Sequence, residues 1–127
     1  MTKKILIIDD DKIFSKVLRD SLTSKNGGGY EVINAHDGED GFEKAKKEHP
    51  NLIILDLMMP NIGGIDFLKK MKSENEFPDT PILISSQISD IDKISEGMEL
   101  GIKGYILKAN YSLDGIVEKI NDILQEK

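Results

Sequence analysis

Three acids in a row, Asp9-Asp10-Asp11, follow the apolar run at residues 5–8, and another, Asp56, directly follows the apolar run at residues 52–55. Two more chemistry-bearing residues close apolar runs of their own: Ser86 after residues 82–84 and Ser85, and Lys108 after residues 105–107. Carboxylates brought together repel and hold their protons tightly unless a cation joins them. Hard oxygen donors of this kind suit Mg²⁺, which keeps several waters and leaves room for a phosphate oxygen. An aspartate beside such a cation can act as a nucleophile and become an acyl phosphate. Lys108 would then offset charge on the phosphoryl oxygens, and Ser86 would bond the phosphoryl product and carry its loop with it. Taken singly these residues are ordinary, since acid runs mostly cap helices and a lone lysine is usually a surface group. Their joint placement at four strand ends carries the reading.

The elements that must position them are legible as five short apolar stretches, residues 5–8, 30–35, 52–57, 82–84 and 105–107. Three are nearly continuous, as suits strands of a parallel sheet buried on both faces. The second alternates in part through Tyr30 and Val32 and is expected at an edge. Between them lie helical spacings: Phe14, Val17, Leu18 and Leu22, with Asp11 as a candidate cap; Phe42 and Ala45; Ile65, Leu68 and Met71; Ile91, Ile94 and Met98; and Leu113, Ile116, Val117, Ile120, Ile123 and Leu124 behind a cap at Ser112. A β-α unit repeated five times implies an α/β fold, a parallel sheet with helices on both faces. Ligands of such sheets bind beyond the carboxyl ends of the strands, where the acids, Ser86 and Lys108 collect. Gly27-Gly28-Gly29 follows a helix rather than a strand, and so reads as a helix stop and loop, not a phosphate cradle.

Composition narrows the classes. A chain of 127 residues fits one domain, residues 1–127, and its 39% apolar and 31% charged residues are those of a globule with a real core. A net charge of −6 argues against direct nucleic-acid binding and against anionic membranes. The absence of cysteine removes disulfides, thiolate zinc sites and thiol nucleophiles. No apolar run is long enough to span a bilayer and no signal peptide is expected, so the cytoplasm is the expected location. His36 and His49 are not paired at metal-ligand spacing and are expected in loops or on the surface.

In combination these motifs resemble the receiver domain of bacterial response regulators, the phosphoacceptor half of two-component signalling, from Ile5 to about Leu124. Lys4-Ile5-Leu6-Ile7-Ile8-Asp9-Asp10 is similar to the opening strand and its acidic pair. Asp56-Leu57-Met58-Met59-Pro60-Asn61, followed by Gly64, is similar to the phosphoacceptor loop; Pro81-Ile82-Leu83-Ile84-Ser85-Ser86 to the fourth strand; and Gly104-Tyr105-Ile106-Leu107-Lys108 to the fifth. The resemblance implies a doubly wound (βα)5 flavodoxin-like sandwich with strand order 2-1-3-4-5 and no output domain in the chain. It implies Mg²⁺ held directly by Asp10, Asp56 and the backbone carbonyl of Met58, with Asp9 acting through water. Asp56 would take its phosphoryl group from a sensor histidine kinase or phosphotransfer protein, and Tyr105 would swing between exposed and buried positions as Ser86 moves. Helix one, with Phe14 and Lys16, would be the kinase side, although without the resemblance Phe14 reads as core. An unknown downstream protein would meet the face of helix four, strand five and helix five, with the domain a monomer or a phosphorylation-dependent dimer. The chain would catalyse only its own phosphotransfer and dephosphorylation, and is in that sense not an enzyme.

Departures from the family pattern carry expectations of their own. Ala109 follows Lys108 where proline is usual, and because a cis bond before a non-proline costs about 3 kcal/mol, a trans Lys108–Ala109 bond and an altered loop are expected. Gly63 replaces a common aspartate, which should matter only for its turn. Gln87 stands where a small residue usually follows the switch serine, and its bulk would partly cover the phosphoryl site. Gln87 and Ala109 also keep open a degenerate receiver that no longer accepts phosphate. A phosphohydrolase of the haloacid dehalogenase type would place label on Asp9, but Ile13 stands where it needs Thr or Val, and Asp56 would have no role. A flavodoxin-like binding module would need a Ser/Thr/Gly-rich loop where three acids stand. Met58 and Ile88, two residues beyond Asp56 and Ser86, are apolar where water access is tuned. The acyl phosphate is therefore expected to be long-lived, and Met58→Asn with Ile88→Glu to shorten its lifetime; an unchanged rate of phosphate loss from labelled protein would contradict this.

Overall fold

A strand whose side chains are all apolar needs cover on both faces. In the computed structural model, which describes residues 2–59, 62–74, 79–87 and 91–125 (Ile91 by its backbone alone), the chain meets that need by alternation. Strands β1 (Lys4–Ile8), β2 (Glu31–Ala35), β3 (Leu52–Leu55), β4 (Ile82–Ser86) and β5 (Gly104–Leu107) alternate with helices α1 (Lys12–Thr23), α2 (Gly38–Glu48), α3 (Gly64–Ser73), α4 (Ile91–Glu99) and α5 (Leu113–Gln125). All neighbouring strands pair in parallel in the order β2-β1-β3-β4-β5. The expected doubly wound sheet and its edge strand β2 are both present.

Successive side chains of β1, β3 and β4 enter two separate cores. Ile5 and Ile7, Leu52 and Ile54, and Leu83 pack with Leu18 and Leu22 of α1 and with Ile116, Val117, Ile120 and Leu124 of α5. Leu6 and Ile8, Ile53 and Leu55, and Ile82 and Ile84 pack instead with Phe42 and Ala45 of α2 and with Phe67, Leu68 and Met71 of α3. The continuous apolar runs are thus explained residue by residue.

Local chemistry starts the helices where it was expected to. Asp11 is extended (φ −81°, ψ 98°), and its side chain accepts from the Phe14 N–H at 3.0 Å, capping α1. Ser112 Oγ accepts from the Gly115 N–H at 3.1 Å at the start of α5. Past α1 the glycine turn follows, with Gly28 and Gly29 at φ +123° and +65°, a region that favours residues without Cβ.

Two expectations need correction. Val17 and Met98 do not face the core: they are 45% and 63% exposed. On α1 the inward face is set by Ser15, Leu18 and Leu22, and Val17 is turned about 100° from Leu18. Among the described residues of α4 the buried one is Gly97, where an added Cβ would stand 3.3 Å from Ile102 Cδ1, so Met98 next to it is turned outward. The ends of β3 and β4 lie where the sequence puts them. β3 stops at Leu55, paired with Ile8 and Ile84, whereas β4 runs on through Ser85 and Ser86, paired with Ile106 and Leu107. The switch serine therefore lies within a strand, and Asp56 lies just past one.

The start of α3 presses on the acceptor loop. Gly64 N donates to Leu57 O at 3.0 Å, and a Cβ on Gly64 would stand 2.6 Å from the Asp56 carbonyl oxygen. Because the obstacle is backbone, Gly64→Ala is expected to destabilise the fold by about 1–3 kcal/mol, the usual range for overpacking, as measured by urea unfolding.

Candidate functional site

The site is the rim formed where β1, β3, β4 and β5 end. The β1–α1 loop is folded by its own carboxylates: Asp9 Oδ1 accepts from the Asp11 N–H at 2.9 Å, while Asp11 caps α1. Asp56 N donates to Ile8 O at 2.9 Å, which draws the acceptor loop up against β1. Carboxylate oxygens of Asp9, Asp10 and Asp56 consequently lie within 4.8 Å of one another, with Asp9 and Asp56 buried and Asp10 exposed. A cavity of about 310 Å³ opens beside them, lined by Asp10, Asp11, Asp56, Met58, Ser86, Gln87 and Lys108.

The ammonium of Lys108 binds Asp9 Oδ2 at 2.6 Å, with the two side chains only 8% and 2% exposed. It also stands 4.2 Å from the centre of the Phe14 ring. Met58 is 43% exposed at the cavity edge; its N–H donates to Asp56 Oδ1 at 3.2 Å, and its sulfur accepts from Lys93 Nζ of α4 at 3.4 Å. Ser86 is buried against the cavity and Gln87 is exposed at its mouth. Tyr105 is not part of the rim: it is 43% exposed on β5, at the sheet edge beyond Ile84. Ile88, Pro60 and Asn61 lie outside the described residues. Among the described residues no peptide bond is cis, so Lys108–Ala109 is trans, and residues Lys108–Asn110 form a single 3-10 turn. His36 and His49 are exposed, and His36 Nδ1 lies 3.1 Å from the Asp9 carbonyl oxygen. Two participants were not legible beforehand. Phe14 reads as core until Lys108 is seen over its ring, and nothing in local sequence ties Lys93 to Met58.

Residues 5–121 match the response regulator receiver domain family. The chain belongs to that family. It is 37% identical over 123 residues to a probable transcriptional regulator, ycf27, of Porphyridium aerugineum, a match covering 97% of this chain and 48% of that protein. It is 37% identical over 109 residues to the alkaline phosphatase synthesis transcriptional regulatory protein PhoP of Bacillus subtilis, covering 85% of this chain and 43% of that protein. The chain spans about half the length of the curated relatives it matches. Among solved structures it resembles a CheY-like receiver domain protein from Methanospirillum hungatei, with a TM-score of 0.88, 26% identity and coverage of 99% and 96% of the two chains. It also resembles the chemotaxis response regulator CheY4 of Vibrio cholerae, with a TM-score of 0.85, 27% identity and coverage of 97% and 99%.

Receiver domains of two-component systems generally bind Mg²⁺ at an acidic pocket, and their partners are histidine kinases. The donor set of this receiver domain fits such an ion: three hard carboxylates converge beside an open cavity. No helix among the described residues is long and apolar enough to cross a membrane.

Electrostatics points the same way. Burial, and then the negative charge of Asp9, push Asp56 up from 3.8 to about 7, against the opposing pull of the Met58 N–H and the Lys108 ammonium. Between roughly pH 4 and 7 the folded receiver domain holds a proton that the unfolded chain has released. Stability therefore falls as pH rises through that window, and the full penalty is present at pH 8. In EDTA, Asp56→Asn is expected to be more stable than wild type by about 1–2 kcal/mol at pH 8, a figure discounted for solvent screening, and no more stable at pH 4. Urea unfolding at the two pH values checks this; equal stabilisation at both would contradict it.

Proposed function

We propose that this receiver domain accepts a phosphoryl group on Asp56 from a phosphohistidine of a sensor histidine kinase or phosphotransfer protein, and that the modified domain changes which protein it binds. The observation that supports this best is the position of Asp56, a buried carboxylate that opens onto a cavity ringed by two further carboxylates, Ser86 and Lys108. A carboxylate oxygen of Asp56 attacks the phosphorus, the bond from phosphorus to the imidazole nitrogen breaks, and that nitrogen keeps the electron pair and takes a proton from solvent. Asp10, Asp56 and the Met58 backbone carbonyl would hold Mg²⁺, with Asp9 acting through water, and the ion would supply positive charge against the phosphoryl oxygens. Lys108 adds a second cation within the rim. The chain acts on itself only, through its own phosphorylation and dephosphorylation, and turns over no separate substrate.

Ser86, which lines the cavity, bonds a phosphoryl oxygen and draws the end of β4 inward. Tyr105 on the neighbouring strand then moves from its exposed position toward the space that Ser86 vacates. The output face is that of α4, β5 and α5, where Met98 and Tyr105 are both exposed, and the domain works in the cytoplasm as a monomer or as a phosphorylation-dependent dimer. Beryllofluoride plus Mg²⁺, or a small phosphodonor plus Mg²⁺, tests the assignment. Wild type is expected to shift the backbone amide resonances of Ser86 and Tyr105, and Asp56→Asn to show no shift. A phosphoryl label recovered on any other residue overturns it.

A further inference from the structure

Four contacts around Lys108 close into a ring. Asp9 Oδ1 accepts from Asp11 N–H at 2.9 Å, and Asp11 Oδ1 accepts from Phe14 N–H at 3.0 Å. The face of Phe14 then lies 4.2 Å from the Lys108 ammonium, which returns to Asp9 Oδ2 at 2.6 Å. Phe14 is only half-buried, packed at the margin of the α1–α5 core, so its ring is shared between that core and the cation. The same carboxylate that would meet a divalent cation through water is thus held at both oxygens, one by a backbone N–H and the other by a lysine with an aromatic ring beneath it.

We propose that Phe14 is a positioning residue for Lys108: its ring holds the ammonium at Asp9, and so sets how strongly Lys108 competes with a divalent cation for the acidic cluster. The physical basis is that ammonium and metal ion draw on the same negative charge. Whatever favours Lys108 at Asp9 opposes cation binding, by at most the same free energy. An aromatic face attracts an ammonium through its quadrupole, and an aliphatic side chain of similar size does not. Core packing by Phe14 alone predicts no such selectivity. The proposal rests on the acidic cluster being the metal site proposed above.

The test titrates Mg²⁺ into the full chain by calorimetry, comparing wild type with Phe14→Leu, Phe14→Tyr, Lys108→Met and the Phe14→Leu/Lys108→Met pair. Phe14→Leu is expected to bind Mg²⁺ about two- to fivefold more tightly, the factor matching one partly exposed cation–π contact. Phe14→Tyr should stay near wild type, and Phe14→Leu should add nothing once Lys108 is methionine. An unchanged affinity in Phe14→Leu overturns the proposal, as does the same change with and without Lys108. A second readout needs no metal. In EDTA the Lys108 ε-methylene protons should be shifted upfield by the ring current of Phe14, and the shift should vanish in Phe14→Leu; its absence from wild type also overturns the proposal. Lack of any Mg²⁺ response in wild type would instead overturn the metal site, while the ring-current shift still reports whether Phe14 seats Lys108.

Discussion

Carboxylates within 4.8 Å of one another repel, and the folded chain must hold Asp9, Asp10 and Asp56 at that separation. Two of the three are buried, where their charge costs more than in water. Compensation comes from specific donors: Lys108 at Asp9, the Asp11 N–H on the other oxygen of Asp9, and the Met58 N–H at Asp56. The compensation is unequal. Asp9 has a close cation, whereas Asp56 has one backbone donor and titrates near 7. A site left short of positive charge in this way is one that a small hard cation stabilises.

The sheet decides where that crowding occurs. The pairing of Ile8 with Leu55 puts Asp9 and Asp56 at the same level, one residue beyond paired strand ends. Ser86 pairs with Leu107, so the hydroxyl lies one residue short of the level of Lys108. The side chains filling the two cores, from Leu18 and Ile120 on one face to Phe42 and Phe67 on the other, give the sheet the rigidity that holds acids in place against repulsion. Helix α4 touches the acceptor loop and α3 through lighter contacts. Lys93 reaches Met58 at 3.4 Å, and Lys69 of α3 pairs with Glu96 of α4 at 3.0 Å, both exposed contacts of small individual worth. An element tied to the site by weak contacts can move without disturbing the core.

Alternation and helical periodicity in the sequence determined the five β-α units, the edge position of β2, the caps at Asp11 and Ser112, and the gathering of Asp9, Asp10, Asp56, Ser86 and Lys108 at one rim. These follow from local preference and from the rule that parallel strands end at one side of their sheet. Tertiary structure alone decided the rest. Val17 and Met98 satisfy a helical spacing yet face outward, because a helix's rotation is fixed by what packs beneath it, here Ser15 on α1 and Gly97 on α4. The partner chosen by Lys108, the ring of Phe14 under its ammonium, and the raised proton affinity of Asp56 depend on distances of a few ångströms between residues far apart in the chain. Electrostatic energies vary steeply over such distances, and the order of residues along a chain does not encode them.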